Sequence, residues 1–217
     1  MAVVRSVQAS RRHVALLVLL AAGWGMFVDG NLIPVLAPTT NSTIFQASTA
    51  AFFAVIGILF GPIPGALAGL VRDSSGHVLT LLIHPGLSSL EALGRAIPDI
   101  LEDVVLGLIP GIAGRVNRRL LPLIAATFAA AWLSLPFLEA GNAVVAGRPG
   151  LMWTVLTTAP GDWNEPVDPG LTVYALLTAG MAALILTRWA SDRRGTERVG
   201  VVLLAAGFVM IMLGAHD

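Results

Sequence analysis

The stretch GPIPGALAGLVRD at 61–73 closes one long apolar run and opens the next. Gly61, Gly65 and Gly69 then recur every four residues, so three positions without side chains share one helix face. Such a face lets a neighbouring backbone approach closely, as in packed membrane helices. Asp73 continues the same spacing. The turn therefore reads as a corner of a polytopic helical bundle.

The composition agrees with that reading. The chain has 217 residues, 56% hydrophobic and only 12% charged, far from the balance of a soluble domain. At roughly 20 residues per crossing of a hydrocarbon core about 30 Å thick, it has room for about six or seven spans and no soluble catalytic domain. Apolar segments occur at about 13–36, 46–60, 62–83, 98–113, 120–140, 171–190 and 199–215. The expected fold is all-α: a single transmembrane bundle of six or seven helices. Segment 46–60 is short, since 15 helical residues cover only about 22 Å, so it must tilt little or borrow apolar flanks.

All 13 basic residues are arginine. Ten fall in three groups: Arg5, Arg11, Arg12; Arg115, Arg118, Arg119; and Arg188, Arg193, Arg194, Arg198. Under the positive-inside rule these groups share the cytoplasmic side. The segments place an even number of crossings between successive groups, so charge and topology agree. The N-terminus and the 61–65 turn then lie inside, in the cytoplasmic membrane of a bacterial cell. A secretory signal is a poorer account of the first segment, whose apolar run continues through Trp24 and Phe27 to Leu36, beyond the usual signal core of about 7–15 residues.

Ionisable groups within spans usually face a bundle interior or a water-filled cavity. Arg72 and Asp73 lie about 10 Å along the third helix from Gly65. As sequence neighbours they do not face each other, so each is expected to need another partner, while Asp73 and His77 share a face. Glu91, Arg95, Asp99 and Glu102 would form one stripe on a continuous helix. Two readings are open: the stripe lines a polar cavity, or Pro98 starts a helix and Asp99, Glu102 and Asp103 are ordinary first-turn acids. The cluster IPGIAGRVNRR at 109–119 shares Ile-Pro-Gly with 63–65, which admits a distant internal repeat or a common helix-end composition.

The outer half also receives Asp29, Asn31, Glu139, Asn142 and a long connection from Ala146 to Gly170 that contains Trp153, Asp162, Trp163, Asn164, Glu165 and Asp168. Aromatic rings beside hydrogen-bonding groups suit a flat polar ligand, and tryptophans also anchor helices at the interface. Acids outnumber arginines on that side, which favours a cationic or donor-rich ligand over a polyanion. The candidate substrate-binding set is Asn31, Thr39, Asn41, Gln46, Glu91, Arg95, Asp99, Glu139, Asn142, Trp153 and Trp163. The candidate packing and coupling set is Ala21, Gly25, Gly61, Gly65, Gly69 and Asp73. No catalytic residue, metal site or cofactor is expected. The chain has no lysine and no cysteine, so a phosphate-binding loop ending in Lys-Ser or Lys-Thr and any thiolate chemistry are excluded. It has no HExxH and no Gly-x-Ser-x-Gly motif either. The arginine clusters are accounted for by topology, so no nucleic-acid partner is expected.

The order NLIPVLAPTTNST (31–43), a short second span, FGPIPGALAGLVRD (60–73) and LGLIPGIAG (106–114) resembles the substrate-binding S component of energy-coupling factor transporters, over about residues 13–145. The resemblance implies a six-helix bundle that captures a vitamin or similar micronutrient from outside. It also implies docking on a membrane-embedded coupling subunit that carries two ATPases, and toppling within the membrane to deliver the ligand. In that family small residues on the first span form the docking face, usually Ala-xxx-Ala; here the pair is Ala21-xxx-Gly25. Segment 199–215 is additional to the six-span pattern, and the start MAVVR lacks the histidine that metal-transporting relatives use. A multi-span sensory or scaffolding membrane domain is the alternative.

Overall fold

The computed structural model of the chain describes residues 3–4, 11–24, 43–83, 89–145, 147 and 169–191. These residues form six helices: α1 (Arg11–Trp24), α2 (Thr43–Phe60), α3 (Pro62–Ile83), α4 (Ser89–Val116), α5 (Leu120–Val145) and α6 (Pro169–Ser191). Among the described residues there is no strand, only an isolated antiparallel bridge between Val3 and Arg119. The fold is all-α. Segment 199–215, and the part of 13–36 beyond Trp24, lie outside the described residues.

The corner between α2 and α3 follows from its glycine and prolines. Gly61 has φ 108°, in the region that side-chain-bearing residues avoid. Its N–H still donates to the carbonyl of Gly57 at 2.8 Å, closing α2 before Pro62 starts α3. At the far end of α5, Gly147 takes φ 72°, the left-handed conformation that commonly follows a helix C-terminus.

Helix α2 occupies the centre, packed by α3, α4 and α6. From Ala50 to Phe60 it is apolar on every face, as suits a helix packed by several neighbours. Ala47, Ala51, Phe53, Ala54, Val55 and Leu59 are all essentially inaccessible. The core has two parts. One joins Ala21, Ala50, Phe53, Ile56, Ala68, Leu106, Ala130 and Tyr174. The other joins Val4, Val55, Leu59, Leu123, Leu186 and Trp189.

Helix α4 corrects one sequence alternative. It begins at Ser89 and runs through Pro98 and Pro110 without a break. Asp99, Glu102 and Asp103 therefore lie well inside the helix and are not first-turn caps. Each internal proline removes one i→i−4 bond, but packing against α2, α3 and α5 holds the helix on both sides of it.

Among the described residues one stretch, Thr172–Ala190 in α6, is long and apolar enough to cross a membrane by length and composition; Val14–Gly23, Gln46–Phe60 and Leu120–Ser134 are shorter apolar helices. Helix α4 has the length but carries Glu91, Arg95, Asp99, Glu102 and Asp103. The described arginines other than Arg72 and Arg95 gather at one end of the bundle. Arg12 opens α1, Arg115, Arg118 and Arg119 surround the α4–α5 corner, and Arg188 closes α6. The same end carries the Gly61 turn.

Candidate functional site: a buried polar cluster

The glycine face of α3 sets the register in which polar side chains meet. A Cβ added at Gly65 would lie 2.6 Å from the carbonyl oxygen of Gly107, and one added at Gly69 would lie 2.6 Å from that of Asp103. The two helices run antiparallel with backbones in direct contact. One further turn along α3 brings Arg72 and Asp73 beside the acidic part of α4. Asp73 thus continues the packing face and ends it with a charge.

Arg72 is the hub. Its Nη1 donates to Asp103 Oδ2 at 2.6 Å and lies 3.1 Å from Asp73 Oδ1. The expectation that neighbours in sequence do not pair is therefore corrected for this residue. A long guanidinium can reach its own neighbour and the facing helix together. The guanidinium carbon also stands 5.9 Å from the ring centroid of Phe53 on α2, within cation–π range. Asp73 and Asp103 are only 5% and 4% exposed, so their contacts replace water almost entirely.

Two more contacts extend the cluster. His77 Nε2 lies 3.2 Å from Asp99 Oδ2, linking α3 to α4. Tyr174 of α6 donates its hydroxyl to Glu102 Oε1 at 2.9 Å, and both groups are buried. Ser75 Oγ donates to the carbonyl of Ala22 at 2.9 Å and so ties α3 to α1. The hydroxyls of Thr127, Ser134 and Thr178 donate to the carbonyls of Leu123, Ala131 and Tyr174 in their own helices, the usual back-bonding of such residues, and Ser134 also hydrogen-bonds the Tyr174 side chain.

The cluster thus holds four carboxyls (Asp73, Asp99, Glu102, Asp103), one guanidinium, one imidazole and one phenol, drawn from α3, α4 and α6 around α2. Its surplus of acceptors suits a donor-rich or cationic ligand. Among the described residues no group of three or more histidine and acidic side chains has a metal-holding arrangement.

Of the sequence-predicted substrate residues, Asp99 enters the cluster. Gln46 is exposed near the start of α2. Glu91 and Arg95 lie on the first turns of α4, and Glu139 and Asn142 on the last turns of α5, at the same end of the bundle; their side chains are outside the described ones. Asn31, Thr39, Asn41, Trp153 and Trp163 lie outside the described residues, as does Gly25. Ala21 belongs to the packing and coupling set. It is 2% exposed and packs into the core with Ala50 and Ala68, so its small side chain serves packing within the chain.

Arg72, Glu102, Asp103 and His77 were visible as charges within apolar sequence, yet their convergence was not. Tyr174 was missed altogether. The available signal was that it is the sole tyrosine of the chain, inside an apolar segment, where a hydroxyl requires a partner. Replacing Tyr174 by phenylalanine retains the ring and removes only the hydroxyl, which donates to Glu102 and also bonds Ser134. The expected loss is about 1–2 kcal/mol of stability, read by thermal unfolding. A change near zero would mean that Glu102 has an equivalent second donor.

No protein-family model, curated protein or solved structure matches the chain.

Proposed function

We propose that this chain is a polytopic protein of the bacterial cytoplasmic membrane that captures a small vitamin-like solute from outside and hands it inward with partner subunits. The reading is that of the substrate-binding S component of an energy-coupling factor importer. The observation that carries the membrane part is an inverted distribution of polarity. The ionisable residues Asp73, Glu102 and Asp103 are buried, while Leu19, Leu82 and Leu184 are 69%, 74% and 73% exposed. Exposed leucines on several helices suit a hydrocarbon solvent and would be an aggregation hazard in water. Intramembrane charges facing the bundle interior are expected at a functional site.

The segregation of the described peripheral arginines to one end supports a cytoplasmic assignment for that end. The polar cluster extends from mid-bundle toward the opposite end, where α4 and α6 begin. A solute held there meets an excess of acceptors, so a ligand rich in N–H or O–H donors, or a cation, is favoured. Capture and release need only binding and rigid-body reorientation, with no covalent chemistry. ATP hydrolysis would belong to two partner ATPases bound through a coupling subunit.

Native mass spectrometry of the gently extracted protein is the decisive experiment. The expected spectrum contains the chain with a bound small molecule and, in part, with the coupling subunit and ATPases. A bare chain whose melting temperature no candidate vitamin raises would sink the transport reading. Co-extraction of a histidine kinase would favour the sensory alternative instead.

A further inference from the structure

We infer that Val3 and Val4 form a removable strap that seals the arginine-bearing end of the bundle. Val4 precedes the first helix, yet it is only 2% exposed. It belongs to the core cluster made by Val55 and Leu59 of α2, Leu123 of α5, and Leu186 and Trp189 of α6. Three helices therefore leave an apolar slot at this end, and the side chain of Val4 fills it. The backbone fixes the register: Val4 N–H donates to the carbonyl of Arg118 at 2.9 Å, and Val3 forms an antiparallel bridge with Arg119.

This arrangement differs from ordinary helix packing in scale. A single buried valine and a short stretch of backbone pairing hold the strap, whereas each helix is held along most of a face. The seat is the α4–α5 corner, where Asn117 Oδ1 accepts from the Arg119 N–H at 3.0 Å and shapes the chain that receives the strap. The slot is formed by helix residues, so Val4 can leave it without any helix unfolding. Val3, by contrast, is 57% exposed, so the strap presents one apolar side chain inward and the next outward, as an extended backbone does.

The polar cluster lies toward the other end. Resting on the solute-capture reading, the strap closes the exit on the arginine-bearing side, and release of a ligand inward requires Val4 to leave the slot. The sealing itself does not depend on that reading and is testable without any ligand.

The chain contains no cysteine, so a single introduced thiol is an unambiguous reporter. Leu123→Cys places the reporter in the slot, and Ser134→Cys places one in the buried part of α5 away from it. Each is combined with native Val4, with Val4→Leu and with Val4→Asp, and labelled with a water-soluble maleimide in the full-length protein. A carboxylate cannot remain among Val55, Leu123 and Leu186, so Val4→Asp expels the strap. Labelling of Leu123→Cys is expected to rise by about tenfold or more with Val4→Asp and to stay at the native rate with Val4→Leu, while Ser134→Cys stays protected throughout. Unchanged protection of Leu123→Cys overturns the strap. A parallel rise at both reporters also overturns it, because Val4 would then be a general core residue and not a local seal. Failure of solute binding in the native mass spectrum, with the labelling pattern as expected, would remove the transport reading and leave the seal standing.

Discussion

Gly107→Ala is expected to lower the melting temperature of the protein by about 10 °C, corresponding to about 3 kcal/mol at this chain length. The added methyl would point into the backbone of Gly65 and Ala66. Overpacking a core generally costs about 1–3 kcal/mol because neighbouring side chains change rotamer. Here the obstacle is backbone, which has no rotamer to change, so the cost sits at the upper end. Gly57, Gly65 and Gly107 all meet at one point, and separating α3 from α4 would also lengthen the Arg72–Asp103 contact. Gly180→Ala is the matched control. Its Cβ would find nothing within 4 Å, so the effect should be neutral or stabilising by up to about 1 kcal/mol through helix propensity. Circular dichroism melts of both variants under the same conditions read the contrast. Equal melting temperatures would mean that the glycine face is not a close-packed interface.

Arg72→Met is the second large effect expected, at about 3–5 kcal/mol, because it leaves buried carboxyls without their guanidinium. Asp103 loses its 2.6 Å partner and Asp73 its 3.1 Å one in a single step. Arg72→Lys keeps the charge but lacks the planar fork and its stacking on Phe53, so it should fall between native and Met. The double variant Arg72→Met with Asp103→Leu removes both charges and should recover much of the loss. Thermal unfolding of the two single variants, the double and the parent gives the coupling directly, expected at about 1–3 kcal/mol. Strict additivity would show that the two residues act independently and that the cluster is not a unit.

These two variants probe one construction. The glycine spacing brings two backbones together, and the resulting register delivers Arg72 to Asp103. A solute that binds the cluster must compete with these contacts, so weakening them by substitution changes both stability and any ligand affinity.

The turn at GPIPG was legible because it depends on local chemistry: a residue able to take φ 108°, then a proline with no N–H to satisfy. The spacing of Gly61, Gly65 and Gly69 was legible for the same reason, since helical periodicity is a property of the chain itself. The course of α4 was not. Pro98 is locally a reason to start a helix, and contacts from neighbouring helices overrule it. The role of Ala21 was ambiguous between inward packing and outward docking, because a small residue serves either surface equally well. Tyr174 gave no pattern to read, since its partner Glu102 is remote in sequence.

By itself the sequence determined an all-helical chain, the Gly61 corner, the glycine face of α3 and the sorting of arginines between connections, all of which follow from local backbone preferences and residue spacing. Only the tertiary structure decided that Arg72 would pair with Asp103, that Tyr174 would reach Glu102 and that Val4 would enter the core. Those contacts join residues distant along the chain, and their existence depends on the register and rotation with which whole helices pack.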